Sequence, residues 1–337
     1  MSTGIEIREL RKTFAVRERG WLRRRSVKTA VDGLDLSIPA GRVTGLLGLN
    51  GAGKTTTIKI IATLLRPTTG LVTVDGLDVV AHPRQVRQRI NLIAGGERMV
   101  YARMTGRENL WYFGQLYDVP RAVLRPRIDE LLELVGLTDA AGTVVERYSR
   151  GMTQRLSIAR GLINDPAYLL LDEPTLGLDA PIARELRRVV ARLAAEGRGV
   201  LLTSHYLAEV EQLCDHVYVI DQGRHLTAGS PDALKAATDV HREVRVTVTN
   251  PSEAIATAAT DFAARHGTIA EIAPADGGAV TVRLRHRDDI AGPLATTIVD
   301  AGGRLGGLEI AEPSLEDAIL ALASAGAAGV SAGTGPP

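Results

Sequence analysis

The chain has 337 residues, of which 45% are hydrophobic and 23% charged, values typical of a globular protein large enough for about two domains. Its 40 basic and 39 acidic residues leave a net charge of +1, so bulk electrostatics give no argument for nucleic-acid binding. The single cysteine, Cys214, excludes an internal disulfide and fits a reducing compartment. We expect neither a signal peptide nor a membrane span, so any spans must come from another chain.

The first predicted elements are two strands, residues 5–14 and 31–38, which flank a basic segment at residues 17–25. This segment is rich in arginine and contains a tryptophan, a composition that suits anionic lipid headgroups or a partner chain. A solvated hairpin tip is the alternative, and the usual behaviour of charge runs favours it.

A short apolar strand at residues 41–47 leads into residues 48–56, GLNGAGKTT, which fit the phosphate-binding pattern G-x-x-x-x-G-K-[ST]. The glycines let the backbone turn its N–H groups onto an anion, and the helix that follows directs its positive end at the phosphates. We predict that Lys54 reaches the outer phosphates and that the Thr55 hydroxyl binds Mg²⁺. The predicted nucleotide-binding residues of the loop are Gly48, Asn50, Gly51, Gly53, Lys54, Thr55 and Thr56.

Residues from about 105 to 143 are predicted to be helical and to belong to an insert, the helical subdomain, at about residues 97–163. The next strand, residues 167–171, is a continuous apolar run that suits a parallel sheet buried on both faces. It delivers Asp172, placed to hold Mg²⁺, and Glu173, placed to polarise a water for attack on the γ-phosphate. Alone, this pair would indicate a turn or a helix cap, but the upstream phosphate loop favours catalysis.

The alternating strands and helices predict an α/β domain over residues 1–238. Residues 239–325 follow the order β-α-β-β-α-β-α, which indicates a small α+β domain of the ferredoxin-like type without a catalytic constellation. Its last helix is predicted to begin at Ser314, with Asp317 three residues on, close to a capping box. The tail, residues 326–337, consists of small residues with glycine and proline and is predicted to be disordered.

Together these motifs resemble the nucleotide-binding subunit of an ATP-binding cassette transporter over residues 5–237, with a looser match beyond. Residues 148–155, YSRGMTQR, are similar to the family signature LSGGQ, in a variant like that of exporters with ABC-2 type permeases. Ser149 and Gly151 stand at the start of a predicted helix at residues 153–163, where donors and a dipole can face an anion. The resemblance implies that this anion is the γ-phosphate held by a second subunit, so that a homodimer encloses two ATP molecules.

Further single residues resemble functional residues of the family. Phe14 resembles the aromatic residue that stacks on adenine, and Asp179 belongs to the loop that contacts the partner cassette. His205 corresponds to the switch histidine at the γ-phosphate and would act with Glu173 in catalysis. One position departs from the family, because Gly96 stands where a glutamine normally contacts Mg²⁺ and senses the permease; either Glu97 substitutes for it or this contact is absent.

The resemblance implies an α/β P-loop nucleotide triphosphatase fold, an ATPase activity with ATP and Mg²⁺, and a place at the cytoplasmic face of the cell membrane. It further implies a separate polytopic permease that exports a drug-like or lipidic molecule, and residues 313–317 resemble the end of drug and ion exporter cassettes. Two alternatives stay open. One is a soluble cassette protein that acts on nucleic acid or ribosomes, although such proteins usually carry two cassettes or a coiled coil. The other is an interaction protein that only senses ATP.

Overall fold

A computed structural model describes residues 3–17, 25–94, 100–204, 206–237, 242–311, 314–315 and 317–319. The chain divides into two compact units, Met1–Pro231 and Asp232–Pro337. This division lies earlier than the predicted end of the first domain near residue 238, because most of a helix at Pro231–Ala237 groups with the second unit. Four predicted features lie outside the described residues: most of the basic segment, the Gly96–Glu97 position, His205 and the tail.

The first unit contains two β-sheets and a group of helices. Its strands are β1 (Gly4–Arg17), β2 (Arg25–Pro39), β3 (Val43–Leu47), β4 (Thr69–Val74), β5 (Leu77–Asp78), β6 (Ile90–Ala94), β7 (Tyr168–Asp172), β8 (Gly199–Thr203), β9 (His216–Asp221) and β10 (Arg224–Gly229). Its helices are α1 (Lys54–Ile61), α2 (Pro83–Arg89), α3 (Gly106–Leu116), α4 (Arg121–Leu134), α5 (Arg150–Gly161), α6 (Ala180–Ala195) and α7 (Leu207–Leu213).

The larger sheet has the strand order β10-β9-β3-β8-β7-β6, and all of its strands except β10 run parallel. Every residue of β3 and β8 is buried, which explains why these strands are continuous apolar runs. Strand β7 lies between β6 and β8, as its apolar sequence predicts. Because the carboxyl ends of parallel strands meet at one edge, the segments after β3, β7 and β8 are brought together there.

The second sheet is antiparallel, with the order β2-β1-β4-β5. A cluster of buried apolar side chains joins it to the larger sheet and to α1, and includes Ile5 of β1, Ile58 of α1 and Leu170 of β7. The phosphate loop is therefore held between two layers that share one core.

The helical subdomain contains α3, α4 and α5. A capping box fixes the start of α3, since the Thr105 side chain accepts from the Glu108 N–H and the Glu108 carboxylate accepts from the Thr105 N–H. The predicted helical stretch up to residue 143 is too long, because α4 ends at Leu134 and the chain then runs through turns to a 3₁₀ helix at Val145–Arg147. Helix α5 begins at Arg150, earlier than predicted, because Ser149 caps it.

The second unit contains most of α8 (Pro231–Ala237). Its further elements are β11 (Arg242–Val248), α9 (Glu253–Arg265), β12 (Glu271–Pro274), β13 (Val280–His286), α10 (Ala291–Asp300) and β14 (Leu305–Ala311). Its antiparallel sheet has the order β12-β13-β11-β14. From β11 to β14 the elements follow the predicted β-α-β-β-α-β order, on which the ferredoxin-like assignment rests. The core contains Val246, Phe262 and Leu294. Ser314 and Asp317 exchange the predicted capping hydrogen bonds.

Among the residues that the structure describes, no helix is both long and apolar enough to cross a lipid bilayer.

Candidate active site

The phosphate loop joins β3 to α1 and wraps around the side chain of Lys54. This side chain is only 6% exposed, and its Nζ donates to the carbonyl oxygens of Gly48 at 2.6 Å and Leu49 at 3.2 Å. The backbone requires glycine at two positions of this loop. A Cβ at Gly48 would lie 2.2 Å from the Ile220 carbonyl oxygen, and Gly53 has a φ of +109°. The conformation that holds the ammonium group therefore depends on these two glycines.

The first turn of α1 faces out of this loop. Gly53 occupies the N-cap and has no side chain, so the first N–H groups of α1 have no capping oxygen and can bind an anion. Thr55 is exposed, so its hydroxyl can be reached by a ligand, whereas Thr56 is half-buried. Asn50 and Gly51 are exposed at the tip of the loop.

The acidic pair at the end of β7 is fixed by its neighbour, strand β8. Asp172 Oδ1 accepts from Thr203 Oγ1 at 2.7 Å. The Glu173 N–H donates to the Thr203 carbonyl oxygen at 3.0 Å, and it lies 3.2 Å from Thr203 Oγ1. Glu173 has a φ of +54°, a strained conformation for a residue other than glycine. One threonine therefore orients both acidic residues, and sequence reasoning missed it.

The phosphate loop and the acidic pair interact electrostatically. Burial lowers the pKa of the Lys54 ammonium, while the nearby carboxylates of Glu173 and Asp172 raise it in opposition. Strands β3 and β7 are both neighbours of β8, so the segments that follow them lie at the same sheet edge. The structure thus brings together a cation, a row of amides and two carboxylates, the groups that phosphoryl transfer needs.

The signature residues and the predicted partner-contacting loop form a second group on α5 and α6. Ser149 is exposed at the N-cap of α5, where its Oγ accepts from the Met152 N–H at 3.2 Å. Asp179 is the N-cap of α6 and accepts from the Ile182 N–H at 3.0 Å. Gly151 allows the two helices to meet, because a Cβ there would lie 2.2 Å from Ile182 Cδ1.

Arg150, at the third position of the signature, also belongs to this group. Its guanidinium lies against Gly177, where a Cβ would be 2.4 Å from Arg150 Nη2 and where φ is +71°. The side chain thus packs on the loop that precedes Asp179. Sequence reasoning identified this position only as a departure from the family pattern, and the contact depends on how α5 and α6 pack.

Phe14 lies on β1, opposite Lys28 of β2. Its side chain is 37% exposed, and Lys12 Nζ lies 5.1 Å from the centroid of its ring. An exposed aromatic face can stack on a planar ring, and the cation beside it favours electron-rich partners. The roles predicted for His205, Gly96 and Glu97 stay predictions, because these residues lie outside the described part of the chain.

Comparison with known proteins agrees with this geometry. The sequence profile of the family described as ABC transporter matches residues 31–176. Daunorubicin resistance ATP-binding protein DrrA2 of Streptomyces coeruleorubidus is 40% identical over 309 residues, which cover 92% of this chain and 95% of that protein. The chain belongs to the ATP-binding cassette family of transporter ATPases.

A second relative of this cassette protein is ABC transporter ATP-binding protein NatA of Bacillus subtilis (strain 168), 43% identical over 211 residues, or 63% of this chain and 86% of that protein. Among solved structures, an ATP-binding subunit of an ABC transporter aligns with a TM-score of 0.60 and 27% identity, covering 69% of this chain and 92% of that one. The cassette fold and the ATPase activity predicted from the motifs are therefore confirmed.

Proposed function

We propose that two copies of this cassette close around two Mg²⁺–ATP complexes and drive a separate membrane permease that exports a drug-like or lipidic molecule. The observation that carries this proposal is the likeness to a daunorubicin resistance protein along 92% of the chain, which includes most of the second unit. A protein of this kind would act at the cytoplasmic face of the cell membrane, with the permease supplying the membrane-spanning helices.

In the proposed ATP site, the Lys54 ammonium and the amides of the phosphate loop bind the β- and γ-phosphates, and Phe14 stacks on adenine. The buried ammonium supports this role, because a positive charge held by two carbonyl oxygens is already placed inside the loop. The remaining loop residues that line the nucleotide are Gly48, Asn50, Gly51, Gly53, Thr55 and Thr56.

The residues present fit Mg²⁺, which prefers oxygen ligands. The exposed Thr55 hydroxyl and the Asp172 carboxylate, oriented by Thr203, would hold it. When bound, Mg²⁺ would stabilise negative charge that develops on the phosphate oxygens.

Glu173 is the proposed general base that polarises the attacking water. Two observations support this role: its backbone is fixed by Thr203, and its carboxylate is one of the charges that raise the pKa of the Lys54 ammonium. His205, which follows the end of β8 by two residues, would contact the γ-phosphate from the neighbouring segment.

The second group of residues would complete the site of the partner subunit. Ser149 and the backbone at Gly151 present an exposed hydroxyl and a helix N-terminus, which together suit a γ-phosphate. Asp179, at the start of α6, would contact the partner chain close to this point.

An exposed aromatic cluster in the helical subdomain supports a protein partner. Tyr101 is 49% and Tyr112 37% exposed, and their ring centroids lie 5.0 Å apart. Exposed aromatic side chains are enriched at protein interfaces. The cluster comes after Gly96 in the sequence, the position where the family has the glutamine that senses the permease. Its exposed rings would offer the permease a different contact.

The test is to purify the chain in detergent from the cells that produce it and to determine whether a polytopic membrane protein co-purifies with it. We expect Glu173→Gln to retain ATP binding, to lock the dimer and to lose turnover. Hydrolysis by this variant at the parental rate would show that the base is assigned wrongly. Purification with RNA or DNA and without any membrane protein would contradict the transporter proposal.

A further inference from the structure

A buried carboxyl group outside the recognised motifs links the two segments that carry the proposed catalytic residues. Glu209 lies in α7 and is 3% exposed. Its Oε2 accepts from Ser204 Oγ at 2.6 Å and from Thr175 Oγ1 at 2.9 Å. Both hydroxyl residues are themselves buried, with exposures of 5% and 3%. One oxygen atom therefore joins the segment after β7 to the segment after β8.

The first of these segments contains the acidic pair. Thr175 comes two residues after Glu173, and the turn between them is closed by the Leu176 N–H, which donates to the Glu173 carbonyl oxygen at 3.1 Å. Thr203 fixes the beginning of this turn at Asp172, and Glu209 fixes its far end at Thr175. Glu173 lies between the two attachments, in its left-handed conformation.

The second segment contains His205. Ser204 Oγ donates to Glu209 and also accepts from the Tyr206 N–H at 3.0 Å. Ser204, immediately before His205, therefore bonds to the carboxyl group directly, and Tyr206, immediately after it, is linked to that group through Ser204 Oγ. A shift of Glu209 would be transmitted to the chain on each side of this histidine.

We propose that Glu209 is a positioning residue for ATP hydrolysis, which holds the Glu173 segment and the His205 segment in one fixed arrangement. The inference rests on the proposed roles of Glu173 and His205. Burying a carboxyl group costs free energy unless hydrogen bonds satisfy it, so an apolar side chain would serve the packing of α7 better. Buried networks whose members are all satisfied select one arrangement of the groups that they join. When two groups act on the same phosphate, holding them in one such arrangement raises the rate of the reaction.

The test measures ATP hydrolysis by the full-length chain carrying Glu209→Ala or Glu209→Gln. The alanine variant should lose about tenfold to hundredfold in kcat, because misplacing a reacting group by about 1 Å can cost about hundredfold. ATP affinity, measured without Mg²⁺ so that no turnover occurs, should stay at the parental value. Glutamine keeps an oxygen acceptor at the same reach and should restore most of kcat.

A matched control distinguishes positioning from a general loss of stability. Tyr168→Phe removes another hydrogen bond, which is partly buried and lies at the opposite end of β7. In this bond Tyr168 Oη donates to Asp75 Oδ1 at 2.6 Å. The variant should lower the unfolding temperature and leave kcat unchanged. An equal loss of kcat in this control, or parental kcat in Glu209→Ala, would overturn the inference.

A double-mutant cycle between Ser204 and Glu209 tests the contact itself, and its Ser204→Ala arm keeps the inference testable if Glu209→Ala folds poorly. Ser204→Ala and Glu209→Ala each remove the same hydrogen bond, so each should lower kcat and their effects should overlap when combined. Full additivity would contradict a shared role. Glu173→Gln is measured in parallel: if it is inactive while the Glu209 variants have parental kcat, only the positioning inference fails. If Glu173→Gln itself hydrolyses ATP, the proposed function fails first.

Discussion

Thr203 Oγ1 donates a hydrogen bond of 2.7 Å to Asp172 Oδ1, across the boundary between two parallel strands. Thr203 is fully buried, and its carbonyl oxygen also accepts from the Glu173 N–H. The orientation of the acidic pair therefore depends on the strand beside it as well as on its own turn. A residue with no place in any nucleotide-binding motif thus sets the direction of the proposed Mg²⁺ ligand.

Thr203→Val should keep the shape of β8 and remove this hydrogen bond. A hydrogen bond to a charged group contributes about 1.5–3 kcal/mol, so without it kcat should fall about tenfold and the Mg²⁺ concentration for half-maximal activity should rise. Steady-state kinetics with a Mg²⁺ titration measure both. Unchanged Mg²⁺ dependence would show that Thr203 does not orient Asp172. Thr227→Val, on the edge strand β10, is the matched control and should behave like the parent.

Gly53→Ala should weaken ATP binding by at least about tenfold, which corresponds to about 1.4 kcal/mol. The reason is local: φ at Gly53 is +109°, and the added Cβ would lie 2.5 Å from the Ala30 carbonyl oxygen. Gly142→Ala is the control, since nothing lies within 4 Å of a Cβ there. Calorimetric titration with ATP would compare the two. Equal affinities would show that the loop tolerates a side chain at its last glycine.

Cys214 should resist thiol reagents in the folded protein. Its side chain is buried, and burial raises the pKa of its thiol above the usual 9.0, helped by the charges of Glu209 and Asp215. As the pH rises past about 9, the unfolded chain loses this proton while the folded chain keeps it, so the free energy of unfolding should fall. The rate at which a thiol reagent labels Cys214, measured at increasing denaturant concentration, would report unfolding. Rapid labelling of the native protein at neutral pH would contradict this placement.

The parts of the site that depend on local residue types were predictable. Gly48, Gly53 and Lys54 identify the phosphate loop because few other residues can form it, and the structure shows Lys54 held by the loop carbonyls. The apolar run before Asp172 predicted a buried parallel strand because only such a strand needs apolar residues on both faces.

The parts that depend on which strands are neighbours were not predictable from a single sequence. Thr203 and Glu209 matter only because β8 lies beside β7 and α7 follows β8, an arrangement that no local pattern encodes. The earlier start of α5 has a local cause, since the Ser149 side chain caps the helix directly. Strand β10, at the edge of the larger sheet, was not predicted. None of its residues is fully buried, so its sequence has no alternation of apolar and polar residues that would indicate a strand.

In the proposed dimer, each ATP is held by the phosphate loop of one subunit and the signature of the other. Two inactive variants test it when they are mixed: Lys54→Ala, which damages the loop, and Ser149→Arg, which damages the exposed signature N-cap. A mixed dimer contains one composite site with an intact loop and an intact signature.

The decisive measurement is ATP hydrolysis by each variant alone and by the mixture after the subunits have exchanged. We expect that neither variant hydrolyses ATP alone and that the mixture recovers part of the parental turnover. A mixture as inactive as its components, with mixed dimers shown to be present, would contradict a site shared between two subunits.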